Sequence, residues 1–104
     1  MIIVEGWVRL EDTQEVDRLR AAAIEMMRAT KTQEPGCLEY AYAIDVSDQA
    51  LLRIIERWTD EAALSAHFAT PHMAVFGNAM ASAKIAAVSI KAYSGEVIRT
   101  LMER

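Results

Sequence analysis

This chain has almost none of the residues that staple or punctuate a small protein. In 104 residues there is one cysteine, Cys37. No disulfide can therefore close within the chain, and one thiol beside two histidines offers no zinc framework. Cys37 reads as a small packing residue at the head of a strand. Positive charge is also scarce: eleven Lys and Arg against fifteen Asp and Glu leave a net charge of −4, with no basic run. Binding a phosphate backbone needs a basic face, so nucleic acid is not an expected partner. Residues 62–83 lack Asp, Glu, Lys and Arg, but they include two histidines, Pro71 and Gly77-Asn78. That pattern suits a broken pair of buried helices better than a membrane span. The start, Met1-Ile2-Ile3-Val4-Glu5, shows no basic leader, so the expected location is the cytoplasm, away from membranes.

What is present is a surplus of apolar residues, 53% hydrophobic with only 7% aromatic. This length reads as one domain, residues 1–104, with 94–104 as a C-terminal tail. Residues 2–10 read as a strand apolar on both parities. Asp12 and Glu15 have capping-box spacing, and Val16, Leu19, Ala23, Met26 and Met27 then recur at helical intervals until Pro35-Gly36 stops the run. Leu38, Tyr40, Tyr42 and Ile44 alternate as a half-buried strand over 37–45. A turn at 46–49 leads into a second strand, 51–58, paired antiparallel with the first.

Thr59-Asp60-Glu61 begins a short helix with Leu64, His67 and Phe68 on one inward face. Thr70-Pro71 opens another helix, striped by Met73, Phe76 and Met80. Residues 86–93 form the last predicted strand, and 97–102 a tail with a few apolar anchors. The order β-α-β-β-α(α)-β predicts an α+β fold, ferredoxin-like, with helices on one face of an antiparallel sheet. The other face is too apolar to stay wet, so two sheets are expected to meet in a homodimer.

Two blocks carry a family resemblance: Glu34-Pro35-Gly36-Cys37-Leu38-Glu39-Tyr40, and Glu56-Arg57-Trp58 followed by His67 and Thr70-Pro71-His72. From Ile2 to about Tyr93 the chain resembles the antibiotic biosynthesis monooxygenase (ABM) family. The resemblance implies a dimeric α/β barrel. It also implies, as in some members, oxidation of a quinol or hydroxylated polycyclic aromatic by O2 without a cofactor. Haem-degrading members use a first-strand Asn; here that region is Val4-Glu5-Gly6-Trp7, His67 stands near their helical Trp, and Gly77 near their axial His. Haem is therefore not expected, nor any other cofactor or metal.

Cofactor-free oxygenation needs an apolar pocket, a base that works near neutral pH, and donors for the substrate anion. His67 is the candidate base, because imidazole titrates nearest physiological pH. Glu56 shares a strand face with Leu52, Ile54 and Trp58 and is the candidate carboxylate that orients it. Trp58 and Phe76 are candidate aromatic walls, Met73 and Met80 adaptable thioether lining, and Tyr40 or His72 donors to the substrate oxygen. Each has a plainer reading: a core histidine bonded to a carbonyl or to Glu56, a helix-start packing residue at His72, ordinary core aromatics elsewhere. Two other functions fit the same residues, a non-catalytic small-ligand-binding dimer and an isomerase acting on a small hydroxyketone.

Overall fold

Each helix begins where a side-chain oxygen takes an otherwise orphaned amide. In the computed structural model, which describes residues 1–104, Asp12 accepts from the Glu15 N–H at 3.0 Å and opens α1, Thr13–Gln33. Asp60 accepts from the Ala63 N–H at 2.8 Å and opens α2, Glu61–His67. Thr70 accepts from the Met73 N–H at 3.2 Å, with Pro71 in the first turn of α3, Pro71–Ala81. The strands are β1 (Ile2–Leu10), β2 (Cys37–Asp45), β3 (Asp48–Trp58) and β4 (Ile85–Ser94). They form one antiparallel sheet in the order β2-β3-β1-β4. The chain thus has the α+β ferredoxin-like fold.

Register decides which side chains meet the helices. Val4 lies between Glu56 and Ala92, and Val8 between Leu52 and Val88. α1 crosses β1, β2 and β3 on that face, α3 packs beside α1, and α2 sits against β3. Two apolar clusters result. One joins Val8, Leu10, Val16, Leu19, Leu52 and Ile54; the other joins Val4, Ala23, Met26, Tyr40, Trp58 and Phe76. α1 feeds both because its apolar residues recur on one face along its whole length.

β4 lies outside the helix layer, so Val88 and Ile90 stay exposed although their register faces the helix side. On the opposite, open face, Glu5, Trp7, Arg53, Lys91 and Tyr93 line a shallow concavity of about 480 Å³. No helix is long and apolar enough to cross a membrane.

Four local expectations change. β3 begins at Asp48 rather than 51 because Val46-Ser47 alone make the turn. Asp45 holds that turn by accepting from the Ser47 amide and hydroxyl at 2.8 and 2.6 Å and from Arg53 Nε at 2.7 Å; these bonds keep its carboxyl well below the usual range. Phe68 does not share the inward face of His67: as the C-cap of α2 it turns outward, 62% exposed. Leu38 and Ile44 are exposed because β2 is an edge strand whose register shifts at both ends. In the tail, Val97, Ile98, Leu101 and Met102 anchor to nothing in their own chain and stand exposed.

Candidate functional site

Both histidines face one carboxylate, and it belongs to Glu34. Glu34 is the C-cap of α1, its amide still donating to the Thr30 carbonyl at 3.2 Å while its backbone turns extended ahead of Pro35. Pro35-Gly36 then runs close under α2. A Cβ at Gly36 would sit 2.4 Å from the Ala63 Cβ, so only glycine permits this approach. The Thr59 amide donates to the Gly36 carbonyl at 2.9 Å and fixes the contact. The end of α1 is thereby delivered to the α2–α3 junction.

That junction supplies the imidazoles. His67 is the last residue of α2 and His72 the second of α3. The Thr70 hydroxyl donates to the His67 carbonyl at 2.8 Å while capping α3, which locks the break between the helices. His67 Nδ1 lies 2.7 Å from Glu34 Oε2 and His72 Nε2 lies 2.6 Å from the same oxygen. A carboxylate only accepts, so in each ring the nitrogen facing Glu34 carries a proton. His67 is 1% exposed and its other nitrogen, Nε2, is buried without a partner. Its ring sits 4.9 Å from Trp58 and 5.3 Å from Tyr40, centroid to centroid. Glu34, His67 and His72 together present three ligand-type atoms within 4.8 Å of one another.

Glu56 is not the partner of His67. Its carboxylate accepts from Trp58 Nε1 at 2.9 Å, two positions along the same strand face. Burial raises the Glu56 carboxyl above its ordinary value; the Trp58 bond and nearby His67 only partly oppose this.

Trp58, Tyr40 and Phe76 lie together, but as core rather than as walls of an open space: all three are buried in one cluster, with Met73 and Met80 packed partly buried against it. Tyr42 continues the group. Its ring stacks on Phe76 at 5.2 Å and its hydroxyl pairs with that of Tyr40 at 2.7 Å. Burial drives both phenols far above their ordinary pKa. Tyr42 also lines a cavity of about 260 Å³ between α1 and the sheet, with Leu19, Ala23, Met27 and Leu52. Cys37, half-buried, has its thiol pushed up to about 11 by desolvation, reinforced by Glu34, and is unsuited to nucleophilic work.

Sequence reasoning missed Glu34. It stands 33 residues from His67 and 38 from His72, so no local spacing joins them. Its one signal was its place before Pro35-Gly36 at a helix end, where a side chain can project past the last turn.

The ABM family pattern, described as antibiotic biosynthesis monooxygenase, matches residues 1–79, a span that includes Glu34, Glu56, His67 and His72. A candidate antibiotic biosynthesis monooxygenase from Deinococcus radiodurans has a similar structure, with a TM-score of 0.87 and 26% identity over 99% of this chain and 100% of that one. Another solved antibiotic biosynthesis monooxygenase gives 0.82 at 25% identity over 93% and 100% of the two chains. A conserved protein from Methanosarcina mazei Go1 gives 0.82 at 19% identity, over 91% and 92%, and shares the fold. No curated protein matches the sequence. On the strength of the match over residues 1–79, the chain belongs to the antibiotic biosynthesis monooxygenase family.

Proposed function

We propose that the chain is a cofactor-independent monooxygenase of the cytoplasm that oxidises a quinol or hydroxylated polycyclic aromatic with O2 as a homodimer. The observation that carries this reading is the bare, buried Nε2 of His67, whose opposite nitrogen is engaged by Glu34. Nε2 takes the substrate's acidic proton. Glu34 fixes the tautomer and stabilises the imidazolium that forms, as the carboxylate of a catalytic triad does. The electron-rich anion passes an electron to O2, the resulting pair combines at carbon, and loss of water completes the change of a ring carbon, a CH2 in the keto tautomer of the phenol, to C=O. Carbon supplies all four electrons: CH2 + O2 gives C=O + H2O, and no outside reductant is needed.

Tyr40 and Trp58 surround the base, and His72 donates toward the same carboxylate. Substrate reaches Nε2 by displacing side chains, and the flexible thioethers of Met73 and Met80, packed against the cluster that holds Trp58 and Tyr40, are the candidates to move. The open sheet face around Trp7, Ile55 and Tyr93 is the dimer surface in this reading.

The test is oxygen uptake by metal-free protein against a panel of quinols and anthrone-like phenols, each rate corrected by that of His67→Ala. Loss of a general base should cost about 100-fold or more. Equal uptake by the two proteins on a turned-over substrate removes His67 from the role. A second reading is favoured by the 260 Å³ cavity, whose lining is nearly all apolar: a planar ligand bound there with no product formed would mark a binding module. Turnover that persists without O2 would instead mark an isomerase.

A further inference from the structure

We propose that Glu34, His67 and His72 bind a divalent first-row transition ion, Zn2+ or Co2+ in character, through His67 Nδ1, His72 Nε2 and the Glu34 carboxylate. Two imidazoles and one carboxylate form a three-ligand set that leaves a fourth position for water. The atoms already converge: both nitrogens lie within 2.7 Å of Glu34 Oε2, and all three ligand atoms fall within 4.8 Å. Around a tetrahedral ion with bonds of about 2.0–2.1 Å, ligand atoms sit roughly 3.3 Å apart. Each contact to Glu34 therefore opens by a fraction of an ångström through a carboxylate rotation. The two imidazole nitrogens, within 4.8 Å of each other, close towards the same spacing by movement of the less buried His72 ring.

The ligands are held independently of the ion. Glu34 is fixed by the helix end and Pro35-Gly36, while His67 and His72 are tied together through Thr70. The Glu34 and His72 side chains are each 11% exposed, against 2% for His67, so the ion enters from the Glu34–His72 side. His67 Nε2 has no acceptor. The outer support that tightens structural zinc centres is missing on that ring, and exchangeable binding follows.

Occupancy also has a chemical consequence, which rests on the proposed function. Coordination at Nδ1 displaces the proton that faced Glu34, so a neutral His67 must carry its proton on Nε2. The base becomes a donor, and the ion switches oxygenation off.

Binding is tested without any substrate. Co2+ titrated into metal-free protein should give a saturable visible d–d band at one ion per chain, bleached by Zn2+. His72→Gln and Glu34→Gln should each weaken binding at least about tenfold, with circular dichroism confirming that both variants fold. No band, or equal affinity in wild type and both folded variants, overturns the site. Oxygen uptake separates the two proposals. Binding that leaves uptake unchanged sustains the metal site and removes His67 as base; uptake without any binding does the reverse.

Discussion

Two carboxylates, Glu34 and Glu56, lie near the His67 ring, and they are held in different ways. Glu56 lies inside the sheet layer and meets one neutral donor, the Trp58 indole. Its solvation is stripped faster than it is replaced, so its carboxyl drifts toward the protonated form. Glu34 lies at a helix end, partly reached by water, and meets two imidazole N–H groups on one oxygen. The first arrangement keeps an acid in a core; the second points a charge at groups that can carry protons or ions. Proximity to a histidine in sequence or on a strand face is therefore a poorer guide than the number and kind of donors a carboxylate finds.

Four substitutions break or sharpen this contrast. Trp58→Ala should have the largest effect. It removes a fully buried indole and the sole side-chain donor to Glu56, and should cost about 3–5 kcal/mol in urea unfolding. Gly36→Ala comes next, because its methyl would drive α2 away from the end of α1. A loss of about 1–3 kcal/mol is expected, with nuclear magnetic resonance signals of His67 and His72 shifting as they leave Glu34. If those signals stay fixed, Gly36 does not set the Glu34 contact.

Glu56→Gln keeps the volume and an acceptor for Trp58 while removing the charge. A carboxyl whose folded pKa is raised stabilises the fold fully below its unfolded pKa, and that contribution is lost as pH rises through the folded value. Wild type should thus lose stability with rising pH above the ordinary carboxyl range. The variant should lack this slope and gain on the order of 1 kcal/mol at neutral pH, read from melting curves across pH. Parallel pH profiles would show that Glu56 ionises without penalty. Tyr40→Phe should do least, leaving the half-buried Tyr42 hydroxyl without its partner at a cost of about 0.5–1.5 kcal/mol, again by urea unfolding.

Much of the frame was legible because it is locally encoded. Asp12, Asp60 and Thr70 each announced a helix start, Pro35-Gly36 an end, and the alternation through Tyr40 and Tyr42 a strand. The inward placement of His67 followed from its spacing to Leu64. The partnership with Glu34 was not legible, since it depends on how far α1 reaches and how closely Gly36 lets β2 approach α2. Choosing Glu56 instead followed from strand parity, which rightly put it on the face of Trp58 but could not say that the indole would claim it. Phe68 and the tail were misread for a related reason: periodicity reports a face, not whether anything lies opposite it.

One consequence of α1 concerns change over generations rather than energy. The helix is 21 residues long and Glu34 is its cap, so the helix acts as a ruler of roughly 31 Å with a carboxylate at its tip. Losing or gaining a single residue anywhere along it would swing that tip by about 100° and shift it by about 1.5 Å, out of phase with both imidazoles. Loops in this chain can drift in length; α1 cannot, because even two whole turns, which restore the angle, would carry the carboxylate roughly 11 Å past the histidines.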